Sequence, residues 1–517
     1  MADAAGTRLR RAGVVAGATL ASRILGFIRD MVVAMALGAG PAADAFFVAF
    51  RVPEATRRML AEGAFSMAAG PALAQAHGSG GPDAMFRLGR SLLCWACLVL
   101  APLTLLGMAH AGGLVRLLAP GLGNDGAQVD GAAQLLAICL PYLPITVVAG
   151  ICISMLHVLG RFLTPALSPC MLNVTLILAA GVGAALGLDV AVCLAGGLLV
   201  AGGAQVWMQL PSLRAAGFTW RGPAPMRSPA LARVGREVAP AMLGASAFQI
   251  MLMLASFRGA SLGVGTVSAL YYADRLLQFP LGLAGVAIST VALPELAALH
   301  ARGEHAGFEG ALRGAMRLSL LMALPAAAGL WLLAQPVVAV LFGRGEFGEA
   351  GVLLTTTMLR WFALALPALA LARPLLAATY ARGRHRLAVY AGGLGVAAFL
   401  AAEGSLEWVA GQHTPAMALV CGAWAQALLL AWGNTWRATR EDILWLIRVA
   451  AAGLVMAGGI AWAETILPPP SWVRVACIPV WATIFCLGAT ALRVPEALLL
   501  TRALARRLRR AREAQRL

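Results

Sequence analysis

The stretch SRILGFIRD, Ser22 to Asp30, sets two arginines and an aspartate in the middle of the first apolar segment of the chain. The flanking runs, Ala12 to Ala21 and Met31 to Ala39, are almost free of charge, so the segment reads as membrane-embedded. An arginine at bilayer depth costs about 2.5–3.5 kcal/mol on insertion scales, so such residues are rare and face a polar interior. Arg51, Arg57, Arg58 and Arg275 occur in the same kind of setting. A helical bundle that keeps this many guanidinium groups inside is expected to handle an anion, because a planar, permanently charged fork donates paired hydrogen bonds to phosphate.

The rest of the composition agrees. The chain has 517 residues, 60% hydrophobic and 12% charged, with a mean hydropathy of +0.80. Soluble domains carry about 25% charged residues. Since a span needs about 20 apolar residues, roughly fourteen spans fit and no sizeable soluble domain remains. The fold class is therefore all-α, a polytopic membrane protein. The 58 glycines and 27 prolines suit closely packed and locally broken membrane helices.

The net charge is +17, and all forty basic residues are arginine. With the N-terminus inside, roughly twenty-six arginines fall in cytoplasmic segments and about four outside, the positive-inside distribution. Nucleic acid is thereby excluded as the reason for the charge. An even number of spans places both termini in the cytoplasm, and the basic C-terminal RRLRRAREAQR reads as a topology-setting tail. Cys94 and Cys97 form a CWAC tetrad, but within SLLCWACLVL they read as packing residues rather than a redox pair.

The longest polar connection, about 213–235, separates six spans from six, with two more at the end. An internal repeat supports the division. PALAQAHGSG at 71–80 resembles PELAALHARG at 294–303, and DAFFVAFR at 44–51 lines up with SALYYADR at 268–275. The expected domains are 1–220, an N-terminal six-helix lobe; 221–440, a C-terminal six-helix lobe; and 441–517, two additional helices with the basic tail. Two halves of like orientation form a parallel repeat, and transporters commonly place substrate between such halves.

Arg23 and Arg29 would diverge by about 120° on an unbroken helix, and Gly26 between them is expected to bend it. Arg57 and Arg58 lie near Glu54 and Glu62, with Arg58 and Glu62 spaced for an i,i+4 ion pair. Arg275 follows Asp274 midway along the eighth span, as Arg29 precedes Asp30. Arg51, close to Pro53, is a weaker candidate, and Arg360 is expected to help line a cavity. LFGRGEF at 341–347 reads as a short external turn, with Arg344 a candidate for a gate. His77 and His300 read as surface residues. No HExxH, GxSxG or Walker A pattern is present, so an enzyme is not expected, and neither cofactor nor metal is implied.

At these residues the chain resembles the MurJ (MviN) lipid II flippases of the multidrug/oligosaccharidyl-lipid/polysaccharide exporter superfamily. The matching pieces are SRILGFIRD, GAGPAADAFFVAFRVPEATRRMLAEGAFSMAAGPALA, YYADRLLQFPLGLAGVAISTVALPELA, LAPG at 118–121, GRFLTPALSP at 160–169, and LFGRGEF. The resemblance covers essentially the full length. It implies fourteen helices and movement of the undecaprenyl-diphosphate-linked peptidoglycan precursor, lipid II, from the inner to the outer leaflet of the bacterial cytoplasmic membrane. It matches cavity arginines to Arg23, Arg29 and Arg275, with Arg57 on the second helix, and other family-important positions to Ser22, Asp44, Glu62 and Ser268.

The resemblance also implies that the last two spans form a groove for the lipid tail. Membrane lipids and cell-wall synthesis proteins are the remaining candidate partners. Gln278 and Glu54 stand where many relatives have an acid and an asparagine. Some relatives are associated with a sodium site, but spans seven and eleven offer no acid beyond Glu237, so sodium is not carried over. Alternating access without ATP is the expected mechanism. The competing readings are export of another anionic polyprenyl-linked glycan or amphiphile, and a non-transporting scaffold for cell-wall synthesis.

Overall fold

A computed structural model of the chain describes residues 2–59, 65–121, 126–236, 247–289, 292–466, 471–499 and 501. Among these, every regular element is a helix. Nine helical runs among the described residues are long and apolar enough to cross a membrane. The chain divides into two compact units, Met1–Tyr271 with Phe342–Gly351, and Tyr272–Leu341 with Val352–Leu517.

The first unit contains α1 (Ala2–Leu37), α2 (Pro41–Met59), α3 (Phe65–Ala109), α4 (Ala111–Leu118), α5 (Gly126–Cys139), α6 (Tyr142–Val158), α7 (Leu163–Leu186), α8 (Val190–Arg214) and α9 (Ala247–Leu262). The unit boundary falls inside α10 (Thr266–Ser289). The long α3 is two helices merged across a kink at Gly80 and Gly81, where φ is −145° and 67°. The sequence GSGGP stops the helical pattern there, because glycine reaches positive φ without strain and Pro82 withholds a backbone donor. Beyond the kink, Leu98, Val99, Leu103, Leu105 and Leu106 are exposed, an apolar face suited to lipid. Cys94 and Cys97 are exposed on that helix as free thiols.

The α7–α8 connection shows how few residues suffice to turn the chain. Gly187 ends α7 in the left-handed conformation, and Asp189 caps α8 by accepting the backbone N–H of Ala191 at 2.8 Å.

The second unit follows with α11 (Ala292–Ala301), α12 (His305–Leu332), α13 (Ala334–Phe342, its last residue in the first unit), α14 (Gly348–Ala381, its residues up to Gly351 in the first unit), α15 (His385–Ala410), α16 (Thr414–Gly433), α17 (Arg440–Ile466), α18 (Ser471–Ala476) and α19 (Ile478–Ala491). Phe308, Leu312, Leu375, Ala391 and Leu430 pack together in its core. Asp442, at the start of α17, receives Arg317 from α12 at 2.7 Å and the Thr439 hydroxyl at 2.9 Å. Trp445 donates to Glu496 at 2.6 Å, so the helices expected to be additional to the repeat are tied in by charge-assisted bonds. The helix of the eleventh span, α15, continues to Ala410 and buries Glu403, which corrects the expectation that this span carries no acid.

The two units share a local device that extends the repeat. Gly160 (φ 71°) and Arg161 end α6, and Gly383 (φ 68°) and Arg384 end α14 at an offset of 223 residues. In both, the arginine N–H returns five residues, Arg161 to the Leu156 carbonyl and Arg384 to the Thr379 carbonyl. Both side chains then cap another helix, Arg161 donating to the Ser212 carbonyl and Arg384 to the Gly433 carbonyl at 2.8 Å. Helix ends leave carbonyls unpaired, and a guanidinium satisfies them while opposing the partial negative charge there.

Candidate functional site

Helix α1 carries its charges on an unbroken helix. The helix runs without interruption through Gly26, from Ala2 to Leu37. Gly26 serves close packing, because an added methyl would sit 3.4 Å from Asn173 Nδ2 on α7. Asn173 is the residue around which this part of the site is built. Its amide donates to the Ser22 carbonyl at 2.9 Å, and its oxygen accepts Arg29 Nη1 at 3.0 Å. Arg29 also holds Asp30 Oδ1 with two nitrogens, at 3.0 and 2.6 Å. Three fork positions of one guanidinium are thus engaged in a buried setting. Arg23 and Ser22 lie on the same helix, half-buried.

On α2 the described ion pairs of Arg57 and Arg58 both run to Glu54, and the expected Arg58–Glu62 pair lies outside the described residues. Arg58 Nε reaches Glu54 at 2.9 Å, and Arg57 Nε reaches the other oxygen of the same carboxylate at 3.0 Å. The reason is geometric: Glu54 lies one turn back from both arginines, at i−3 and i−4. Glu62 lies outside the described residues. One carboxylate therefore serves two largely buried guanidinium groups. Between Ser22 and Arg58 the arginines 23, 29, 51, 57 and 58 number five against the three acids Asp30, Asp44 and Glu54, an excess of two positive charges. Tyr142 is buried at the start of α6. Its hydroxyl faces Gln205 of α8 at 3.4 Å.

Asp44 is held by neutral donors. Its oxygens accept the Gly265 N–H at 2.6 Å, the Ser268 N–H at 2.8 Å and the Ser268 hydroxyl at 2.8 Å. The first turn of α10 is thus capped by a carboxylate from α2, a favourable position for negative charge. Tyr271 on the following turn donates to Asp30 at 3.3 Å and stacks on Phe47 with ring centroids 3.9 Å apart. Arg51 is buried, donates to Ser256 at 2.9 Å, and lies 5.9 Å from the Tyr271 ring. No helix break separates it from Pro53, which sits inside α2.

Further along α10, in the second unit, Asp274 is fully buried and accepts the Gln278 amide at 3.0 Å. Arg275 is half-buried beside it. The departure at Gln278 therefore supplies a donor, where an acid would set two carboxylates one turn apart. Arg360 is half-buried, while Arg373 and His300 are exposed.

Arg344 is exposed, and it is the glycines around it that fix the LFGRGEF turn. Gly38 (φ 72°) leaves no room for a methyl beside the Glu346 carbonyl, and Gly345 (φ 62°) none beside the Met35 carbonyl. The turn is therefore seated backbone to backbone against the end of α1. No group of three His, Cys, Asp or Glu side chains suited to a metal occurs among the described residues.

The family described as "Lipid II flippase MurJ" matches residues 33–481 of this sequence. The chain belongs to the MurJ lipid II flippase family. A probable lipid II flippase MurJ of Vibrio cholerae is 34% identical over 471 residues, spanning 88% of this chain and 89% of its own. The lipid II flippase MurJ of Burkholderia cenocepacia is 35% identical over 376 residues, 71% and 72% of the two chains.

A solved MurJ structure in an inward closed conformation superposes with a TM-score of 0.78 at 20% identity, covering 95% of this chain and 99% of that one. An inward-facing multidrug resistance MATE transporter of the MOP superfamily gives 0.65 at 17% identity, covering 80% and 94%. These likenesses establish the fold, and the family is one of multi-pass membrane transporters rather than enzymes.

Sequence reasoning named the charged members of the site together with Ser22 and Ser268, and missed Asn173, Gln205 and Tyr271. Asn173 and Gln205 each sit in a mostly apolar helix, and Tyr271 lies in YYADR beside charges that were named. The available signal was the side-chain amides of Asn173 and Gln205 within apolar runs, where buried polar groups need partners.

Proposed function

We propose that this chain moves a diphosphate-linked polyprenyl glycopeptide, lipid II, from the inner to the outer leaflet of the bacterial cytoplasmic membrane by alternating access. The observation that carries the reading is the excess of guanidinium over carboxylate between Ser22 and Arg58, with Arg29 and Arg51 buried, in a chain whose relatives bear that activity in their names. Arg23, Arg29, Arg57 and Arg275 are the proposed diphosphate ligands. Ser22, Asp30, Asp44, Arg58, Glu62, Ser268, Asp274 and Arg344 are the proposed supporting and gating residues. Sequence domains 1–220, 221–440 and 441–517, fourteen spans and two cytoplasmic termini complete the proposed topology. Cell-wall synthesis proteins are the proposed protein partners.

The energetics follow from the charge. Two like charges in excess repel in a weakly screened interior, and a diphosphate relieves that repulsion. A ligand shifts a conformational equilibrium by its difference in affinity for the two states, so the relief favours the state in which the arginines converge. A membrane potential contributes about 2.3 kcal/mol per charge per 100 mV. Outward movement of the anion and inward return of the empty cationic interior both run with an inside-negative potential.

The test is depletion of the protein in its host, followed by identification of the lipid-linked precursor that accumulates on the inner leaflet. Accumulation of lipid II, reversed by the wild-type chain and not by Arg29→Ala, is the expected result. Accumulation of a different polyprenyl-linked glycan would replace the substrate, and full activity of Arg23→Ala, Arg29→Ala and Arg275→Ala would remove the site.

A further inference from the structure

The linker between the two six-span halves is folded onto α3. Arg90 donates from Nε to the Pro223 carbonyl and from Nη1 to the Thr219 carbonyl, both at 3.1 Å. Trp95 Nε1 donates to the Met226 carbonyl at 3.0 Å, and Arg233 to Gln75 at 3.1 Å. Phe218 packs against Phe86 with centroids 5.4 Å apart and joins a core that includes Met85 and Val234. Four side-chain bonds and a buried aromatic hold a segment that a polar loop of this length does not ordinarily fix.

What the segment displays is strongly one-sided. Residues 213–236 contain five arginines (214, 221, 227, 233 and 236) and no acid, and all five are exposed. Its height along α3 is also set. Immediately beyond Trp95, α3 presents the exposed Leu98, Val99, Leu103, Leu105 and Leu106, a face that belongs in hydrocarbon. Trp220 and Met226 are themselves exposed on the strap. Tryptophan at the end of an apolar helix face marks the headgroup layer, so the arginines lie level with phosphates.

We infer that residues 213–236 form a basic strap, clipped to α3 by Arg90 and Trp95, that binds the headgroups of anionic phospholipids. The occupant is lipid rather than an acidic protein segment because the exposed tryptophan and methionine adjoin the hydrocarbon-facing side of α3. Basic side chains near an anionic surface attract it within a Debye length. An ordered strap holds five of them at one depth without the entropy cost of ordering a free loop on binding.

The test uses the full-length protein in mild detergent with equimolar phosphatidylglycerol and phosphatidylcholine, the bound lipids being counted by native mass spectrometry. The wild type should retain phosphatidylglycerol preferentially, and a triple variant (Arg214→Gln, Arg221→Gln, Arg227→Gln) should show about fivefold less preference. The corresponding triple lysine variant should keep it, which separates lost charge from a misfolded chain. Arg90→Ala removes no exposed arginine but unclips the strap, and should lower the preference too. Absence of a preference in the wild type, as expected if the surface serves an acidic protein instead, overturns the inference. So does an unchanged preference in the triple glutamine variant or in Arg90→Ala.

Discussion

Asp44 Oδ1 accepts both the backbone N–H and the hydroxyl of Ser268, each at 2.8 Å, while its second oxygen takes the Gly265 N–H at 2.6 Å. The carboxylate thus closes the first turn of α10 from outside that helix. Two of its three bonds come from backbone, so the two partners are unequal. Asp44→Ala leaves buried N–H groups unpaired, each at a cost of about 1–3 kcal/mol. Ser268→Ala removes one hydroxyl bond, worth about 1 kcal/mol. Thermal unfolding of the purified variants should therefore rank Asp44→Ala well below Ser268→Ala, with complementation of a depleted strain following the same order.

Arg29 should not tolerate lysine. It reaches Asp30 with two nitrogens and Asn173 with a third, a geometry that needs the planar fork. Arg29→Lys is expected to lower leaflet flipping by at least tenfold, about 1.4 kcal/mol, while the protein remains folded. Asn173→Ala should give a smaller loss, because the Asp30 contacts survive. Flipping rates in proteoliposomes decide the order.

Glu54 is shared by Arg57 and Arg58, so its removal strands two mostly buried cations. Breaking a buried pair from one side costs about 3–5 kcal/mol. Glu54→Gln should accordingly reduce the yield of folded protein in membranes. The double variant Glu54→Gln with Arg58→Gln should recover part of it, since one stranded charge goes with its partner. A double-mutant cycle on unfolding midpoints measures that coupling.

Gly38 and Gly345 offer a comparison with Gly348. All three have positive φ, but a methyl at the first two runs into carbonyl oxygens, whereas nothing lies within 4 Å of one added at Gly348. Gly348→Ala should cost about 1–3 kcal/mol from backbone strain alone, since its φ of 63° with ψ of 169° is a region that only glycine readily adopts. Gly38→Ala and Gly345→Ala should cost more than that, read as loss of folded protein on size-exclusion chromatography.

The helical class and the charged half of the site were legible because both rest on composition and spacing. SRILGFIRD, the run around Arg57 and the pair Asp274–Arg275 stand out against apolar surroundings, and a charge in hydrocarbon calls for a reason. Partner choice was not legible. Spacing on α2 allows Arg58 to pair with an acid four residues either way, and the contact with Glu54 is the one that falls within the described residues. The close packing at Gly26 was not legible for a related reason. A glycine in a helix is compatible with a bend or with a close neighbour, and only the arrival of Asn173 from 147 residues away distinguishes them. Asp44 and Ser268 could be matched to important family positions, but their mutual contact depends on how α2 meets the start of α10.

The twin turns at Gly160–Arg161 and Gly383–Arg384 bear on how such a chain is made. Arg161 and the Ser212 carbonyl it caps both precede residue 237, while Arg384 and the Gly433 carbonyl both follow it. Neither cap borrows an atom from the other half. As the ribosome delivers the polypeptide, the earlier half can therefore finish its own last helix before the later half has been synthesised, and the later half repeats the same step by itself.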